Sequence, residues 1–253
     1  MRVLTLARDL RRRKSREKHS LFVAEGVRAV EELVRSEIEI VGVLTAPQLE
    51  AAPRGAALLS MMRDRKIEVS AVTESEFRSA AETESPQGVL AIAKIPWRSL
   101  DELRGKGSLR ILVLDAVQDP GNTGTILRTA AALSVDATVA LPGTVDLWNA
   151  KVVRGAMGAS FRHHALHASY EDLRQFLASE KIELWGAEAG GSPLDSTHAP
   201  ARLALAVGNE GAGLSSSVRE NAARLVSLPI SNAVESLNVS VATGILLYQL
   251  RKE

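Results

Sequence analysis

Three places beyond residue 108 of this 253-residue chain put polar side chains where an apolar strand gives way to a loop. In open α/β sheets, ligands collect at the carboxyl ends of strands, so such junctions are where chemistry is sought. The first is LDAVQDPGNTGTILRTA, residues 114–130. A buried strand ends at Asp115, and a Pro-Gly turn leads to Asn122, a candidate helix N-cap. Arg128 follows among Ile126, Leu127, Ala130 and Ala131, where an arginine is expected to snorkel or to be paired. The second is LALAVGNEGAGLS, residues 203–215, in which Gly208, Glu210, Gly211 and Gly213 precede a helix start at Ser215. Glycines let backbone approach a ligand closely and expose its amides. The third is LPISNAVESLNVSVATGILLYQL, residues 228–250, where Ser236 and Asn238 open a strongly apolar helix. Ser236 has the character of an N-cap, and Asn238 inside the first turn is a poor helix former. A plain turn-and-cap reading also accounts for Asn122, and a plain glycine turn for residues 208–213.

Several familiar chemistries are excluded. The glycine loop lacks a dinucleotide fingerprint, because Ser216 stands where the third glycine of G-x-G-x-x-G belongs, and it has no P-loop lysine. No G-x-S-x-G nucleophile elbow occurs. His163, His164 and His167 lie close in sequence, but on a strand they do not converge on one face, so a metal site is not expected. The chain has no cysteine, which removes disulfides, thiolate nucleophiles and cysteine-type zinc sites.

The elements that must hold these junctions alternate between strand and helix patterns, which predicts α/β layering. A first segment carries a basic helix over 2–14, strands at 21–26, 39–45, 66–72 and 88–95, and helices at 27–35, 56–65 and 74–82. Pro96 to Ser108, with Gly105 and Gly107, has the composition of a linker. This gives two α/β domains, 1–97 and 109–253, joined by 98–108. In the second domain, strands are predicted at 109–117, 136–142, 163–168, 182–189, 202–207 and 224–229. Helices are predicted at 123–133, 149–161, 170–180, 216–222 and 237–251. The continuous apolar run 109–117 suits a mostly parallel sheet covered on both faces.

Composition is that of a globular protein, 45% hydrophobic and 24% charged. The longest apolar runs fall well short of the ~18 residues of a membrane helix, and the opening residues lack the apolar core of a secretory signal. The chain is therefore expected to be cytoplasmic and not membrane-bound. The net charge of +1 hides an asymmetry. The first 20 residues hold eight Lys/Arg against two acids, a net +6, which leaves −5 on the other 233. Arg11, Arg12, Arg13, Lys14 and Arg16 fall within six residues. Such a cluster either contacts phosphates or is a solvated helix face.

Taken in order, N-T-G-T-I-L-R (122–128), GNEGAGL (208–214) and LPISNAVESLNVSVA (228–242) resemble the motifs of the TrmH/SpoU family of RNA 2′-O-ribose methyltransferases, in the SPOUT superfamily. The likeness spans about 109–250. The opening REKHSLFVAEGVRAVEEL (16–33) is similar to the ribosomal-protein-like, RNA-binding domain attached to rRNA-targeting members. The resemblance implies an α/β domain threaded into a trefoil knot that holds S-adenosylmethionine. It implies cofactor contacts at Gly208, Leu228 and Leu237, with Ala187 and Glu188 from the 186–191 loop. It places Asn122, Arg128, Glu210, Ser236 and Asn238 at the family's catalytic and substrate-side positions. It implies RNA as substrate, rRNA before tRNA, with Arg11, Arg12, Arg13, Lys14 and Arg16 as the RNA-contacting cations. It also implies a homodimer whose active sites are completed across the interface, with no metal.

Two features depart from the family pattern. Asn232 replaces a usual glycine in the cofactor loop, and Trp148-Asn149 stand where smaller residues are common. Methyl transfer from a sulfonium to a ribose hydroxyl is an in-line displacement that needs positioning and help in removing a proton. An arginine is very hard to deprotonate, which favours Arg128 as a clamp for phosphate and for a developing alkoxide. The alternatives are a catalytically inactive RNA-binding protein of the same fold and, from another class, a nicotinamide oxidoreductase. Titration with S-adenosylmethionine and with NADH separates the enzyme from both others.

Overall fold

A computed structural model describes residues 3–194, 199–231 and 233–251. Among these, the chain forms two compact units, and each is built around its own sheet. Asn232 lies outside the described residues.

The first unit begins with helices α1 (Val3–Asp9) and α2 (Arg13–His19), where a single basic helix over 2–14 was expected. The break has a packing cause. Leu10 is 1% exposed and belongs to the unit's core, so the chain turns to bury it, with Arg12 in extended backbone. The turn leaves carbonyls at the end of α1 without helical partners. Arg16 Nη1 supplies two, donating to Leu10 O at 2.8 Å and Arg11 O at 2.9 Å. Then come β1 (Leu21–Glu25), α3 (Val27–Val34), β2 (Ile40–Thr45), α4 (Pro53–Asp64), β3 (Val69–Ala71), α5 (Glu74–Ala80) and β4 (Val89–Lys94). The sheet order is β1-β4-β2-β3, with β4 antiparallel to both neighbours and β3 parallel to β2. All five residues of β1 are buried, as an apolar run lacking alternation predicts. Thr73 and Glu76 close a capping box on α5.

The second unit opens with a 3₁₀ turn, Leu100–Leu103, whose Leu103 is 1% exposed in that unit's core. It continues with β5 (Leu109–Asp115), α6 (Pro120–Ala132) and β6 (Ala137–Ala140). The next helix, α7 (Ala150–Gly155), lies in a stretch, 148–162, that packs into the first unit. The Trp148 ring sits 4.5 Å from that of Phe22, and Arg162 donates to Glu32 at 2.8 Å. The single helix predicted over 149–161 is broken by Met157 and Gly158, both at positive φ. A Cβ on Gly158 would lie 2.7 Å from Glu32 Cβ, so the close approach needs glycine there. The second unit resumes with β7 (Ala165–His167), α8 (Tyr170–Ser179), β8 (Glu183–Pro193), β9 (Arg202–Gly208), α9 (Ser216–Asn221), β10 (Arg224–Ser227) and α10 (Val239–Gln249).

Its six strands run in the order β10-β8-β9-β5-β6-β7, and every neighbouring pair is parallel. From β5 the chain steps outward through β6 to β7, then crosses to build β8, β9 and β10 on the other side. The strand order therefore reverses between β5 and β9. That reversal opens a crevice at the carboxyl ends, the place where open α/β sheets bind ligands. Register pairs Asp115 with Gly208, so the first two motif junctions emerge side by side. The neighbouring histidines are spent on structure: His163 Nε2 lies 2.7 Å from Thr138 Oγ1, and His164 Nε2 lies 3.0 Å from Ser99 O.

Candidate active site

The first junction differs from its sequence reading by one turn. Asp119, not Asn122, caps α6, its side chain accepting from Asn122 N at 2.7 Å. Proline explains the shift. Pro120 has no N–H and a fixed φ, so it fits the first helical position, and the cap must precede it. Asn122 thereby keeps its side chain for other partners. The third junction shows the same kind of shift. Asn238, not Ser236, caps α10, with Oδ1 accepting from Ser240 N at 2.9 Å and Val241 N at 3.3 Å. Ser236 stays exposed in the loop.

These corrections bring the polar residues together. Asn238 Nδ2 donates to Asn122 Oδ1 at 3.0 Å, and Asn122 Nδ2 donates to Glu210 Oε1 at 3.1 Å. The backbone amides of Gln118 and Asp119 point at the Glu210 carboxylate at 3.4 Å each. Partial burial would raise the Glu210 carboxyl, but the Asn122 amide and these backbone N–H groups outweigh it, and its pKa is lowered. Glu210 is thus an anion that holds Asn122 in one orientation. Residues from all three junctions, 116 positions apart at the extremes, meet in one hydrogen-bonded row.

Asn209 builds the glycine loop, a role that the sequence reading missed. Its Nδ2 donates to Ala116 O, and its Oδ1 accepts from Gly211 N and Ala212 N, each at 2.9 Å. An Asn followed by glycines is a signal for such a side-chain turn. Asp115, 4% exposed, accepts from Ser215 N at 2.6 Å and ties the first junction to the start of α9. Within the loop, Asn209 and Gly213 exchange backbone hydrogen bonds at 2.9 and 3.0 Å. Gly208 lies against that turn: a Cβ there would sit 2.3 Å from Gly213 C.

Strand β8 carries the fourth element of the site. Gly186 pairs with Leu225, but the next pair on β10 is Ser192 with Val226, so residues 187–191 drop out of register with β10 and return, while Ala187 still pairs with Val207 on β9. Ala187 and Glu188, half-buried, lie on this excursion. Arg219 on α9 grips the Glu188 carboxylate through Nε at 3.1 Å and through Nη2. Ser227 Oγ donates to Gly191 O at 2.7 Å and anchors the return. Leu228 and Leu237 are partly buried in the loops after β10 and before α10.

Arg128 is not joined to the asparagine–glutamate row. It is exposed, and no hydrogen bond or ion pair engages it among the described residues. Six residues along α6 from Asn122, it stands about 240° round the helix. Of the basic cluster in the first unit, Arg11, Arg12, Arg13 and Lys14 are exposed, with Arg13 paired to Glu17 at 2.7 Å. Arg16 departs from the expectation of a phosphate contact. It is 4% exposed and committed to the carbonyls that end α1. Among the described residues no group of three or more His, Asp or Glu could hold a metal ion. No described helix is long and apolar enough to cross a membrane.

Residues 109–248 match the SpoU rRNA Methylase family, and residues 4–91 match an MRM3-like substrate binding domain. The chain belongs to the SpoU rRNA methylase family. This SpoU-family chain is 33% identical to the 23S rRNA (guanosine(2553)-2′-O)-methyltransferase RlmP of Bacillus subtilis, over 96% of the chain and 94% of that relative. It superposes on the AdoMet-bound rRNA methyltransferase of Sinorhizobium meliloti with a TM-score of 0.83 and 26% identity, covering 98% of the chain and 93% of its counterpart. It shares its fold with the SpoU methyltransferase AviRb of Streptomyces viridochromogenes, at a TM-score of 0.88 and 24% identity, covering 98% and 96%. Trp148 and Asn149 have structural work here: Trp148 is 7% exposed, and Asn149 caps α7.

Proposed function

We propose that this SpoU-family protein methylates the 2′-hydroxyl of a ribose in ribosomal RNA, with S-adenosylmethionine as cofactor. One observation carries the reading: the row Asn238–Asn122–Glu210 assembles at the strand-order reversal, beside the glycine loop and the β8 excursion. The residues present fit the cofactor. Backbone packs on backbone at Gly208 and Gly191, where Cβ atoms would lie 2.3 and 2.8 Å from main-chain carbons, so these two turns at the carboxyl ends of β8 and β9 close only with glycine and leave main chain there for a cofactor to meet. Leu228 and Leu237 supply apolar walls, and Ala187 and Glu188 line the excursion.

When bound, S-adenosylmethionine supplies an activated methyl group. The chain supplies position and charge. Each asparagine amide has two N–H donors, and the row uses one of each. The second N–H of Asn122, that of Asn238 and the Ser236 hydroxyl remain to orient a ribose hydroxyl. Fixing that hydroxyl in line accounts for much of the rate in such displacements. Glu210 keeps Asn122 from rotating. Arg128 acts as a clamp on phosphate and on developing negative charge. In the first unit, Arg11, Arg12, Arg13 and Lys14 contact RNA phosphates.

A homodimer is part of the proposal. Val241, Ile245 and Tyr248 are 50%, 41% and 56% exposed, and their spacing puts them along one stripe of α10. Arg128, with no partner among the described residues, is then free to serve a partner subunit's site. A trefoil-knotted threading of the last strands and a cytoplasmic location complete the reading, supported by family membership and by the rRNA named for the relatives. The test is single-turnover methylation of 23S rRNA with tritiated cofactor, followed by mapping of 2′-O-methyl groups. Cofactor binding with no tritium in RNA, from any rRNA preparation lacking the modification, would leave only an inactive RNA-binding protein.

A further inference from the structure

The chain has three tryptophans, and two are packed away: Trp148 is 7% exposed and Trp185 2%. Trp97 is 87% exposed. Leaving an indole in water forgoes the largest apolar burial available to a side chain and presents a flat π-face to solvent. Its place in the first unit shows what lies near it. Strand β4 ends at Lys94, and Ile95 N then donates to Ser20 O at 2.8 Å. Ser20 is the C-cap of α2. Trp97 is two residues beyond one end of that bond, and Lys18 is two residues before the other. The chain bounds the two Cα atoms to within about 20 Å.

Lys14 and Lys18 are both exposed, and neither has an ion pair or hydrogen-bond partner among the described residues. They stand at i and i+4 on α2, where like charges repel unless an anion lies between or above them. An exposed indole whose Cα lies within about 20 Å of that of Lys18, on a unit whose Lys14 and Lys18 lack a partner among the described residues, suits a ligand that has a π-face and spaced negative charges together. A nucleotide has both, whereas an acidic peptide has the charge alone. We propose that Trp97 is a stacking platform for an unpaired RNA base, with Lys14 and Lys18 holding phosphates a few nucleotides along the same strand. This rests on the RNA-methylating reading and adds to it a contact with single-stranded rather than duplex RNA, because only an unpaired base exposes its face.

Trp97 dominates the solvent-quenchable fluorescence of the intact protein, which makes the test direct. The probes are a 12-nucleotide oligoadenylate and its duplex with oligouridylate, at low salt. The oligoadenylate quenches Trp97 emission and the duplex does not. Trp97→Ala binds oligoadenylate roughly 5- to 150-fold more weakly, and Trp97→Phe recovers most of the loss. Lys14→Ala with Lys18→Ala weakens both probes and flattens the salt dependence. Unchanged oligoadenylate affinity in Trp97→Ala, alongside weaker binding by the lysine variant, overturns the stacking platform and leaves the RNA reading in place. No binding of either probe by the wild type overturns both for this unit. A change in sedimentation with Trp97→Ala assigns the indole to a protein surface and overturns the platform.

Discussion

Replacing Gly208 by alanine tests whether the glycine loop is a backbone-packed turn or merely an open ligand cradle. A Cβ at Gly208 would lie 2.3 Å from Gly213 C, 2.4 Å from Gly213 O and 2.5 Å from Leu214 N. Carbon atoms in contact sit about 3.5 Å apart, so the 213–214 backbone must retreat by roughly 1.2 Å. The two hydrogen bonds between Asn209 and Gly213, 2.9 and 3.0 Å long, would then stretch to about 4 Å and fail. Two such bonds contribute about 1–3 kcal/mol, and overpacking costs a further 1–3, so the total is on the order of 4 kcal/mol. That is a large part of a domain's ~5–15 kcal/mol. Gly208→Ala should therefore lose both stability and cofactor affinity, and a bulkier valine cannot block the cofactor while leaving the loop intact. Gly211→Ala is the control, because its Cβ meets only Asn209 Oδ1 at 3.7 Å. The assays are urea unfolding and calorimetric titration with S-adenosylmethionine. If Gly208→Ala stays within about 0.5 kcal/mol of wild type and binds cofactor normally, the packing argument is wrong.

Further outcomes are open to measurement. Arg128→Ala should keep cofactor affinity and fold, since the side chain is exposed and unpaired, while the single-turnover rate falls by on the order of 10²–10³; a wild-type rate at saturating RNA removes Arg128 from the reaction. Burial, with Arg98 and His164 nearby, lowers the His163 pKa to about 4, so its imidazole stays neutral in the fold while the unfolded chain takes up a proton near 6.5. Stability from this group is full above pH 6.5 and is lost on acidification towards pH 4, by up to about 3 kcal/mol. His163→Gln should be less stable at pH 7 and show a flatter unfolding profile across that window; a parallel profile refutes the assignment. Sedimentation of the wild type should give about twice 27.1 kDa at micromolar concentration, and Ile245→Glu with Tyr248→Glu should give a monomer; a monomeric wild type excludes the dimer.

Much of the scaffold could be read from residue order alone. Apolar runs without alternation, such as 109–115 and 203–207, have no stable place except a sheet covered on both faces, so strand identity and the α/β class followed from hydrophobicity. The three motif junctions followed too, because glycine and proline punctuate strands locally. Tertiary structure decided which polar residue caps which helix. Sequence allowed Asn122 and Ser236 as caps, but a cap is chosen by where helical phase begins, and Pro120 and the packing of α10 moved both starts. Only then were Asn122 and Asn238 left facing each other. Arg16 shows the same limit: among five neighbouring cations its charge is indistinguishable, yet the break that buries Leu10 turns it inward. The excursion of β8 was also hidden, since Gly190-Gly191 signals a strand's end locally, whereas the return to pairing at Ser192 depends on β10, more than thirty residues later. Local propensity sets what a segment can be. Contacts distant in sequence set which of its side chains remain unpaired, and those are the ones available for chemistry.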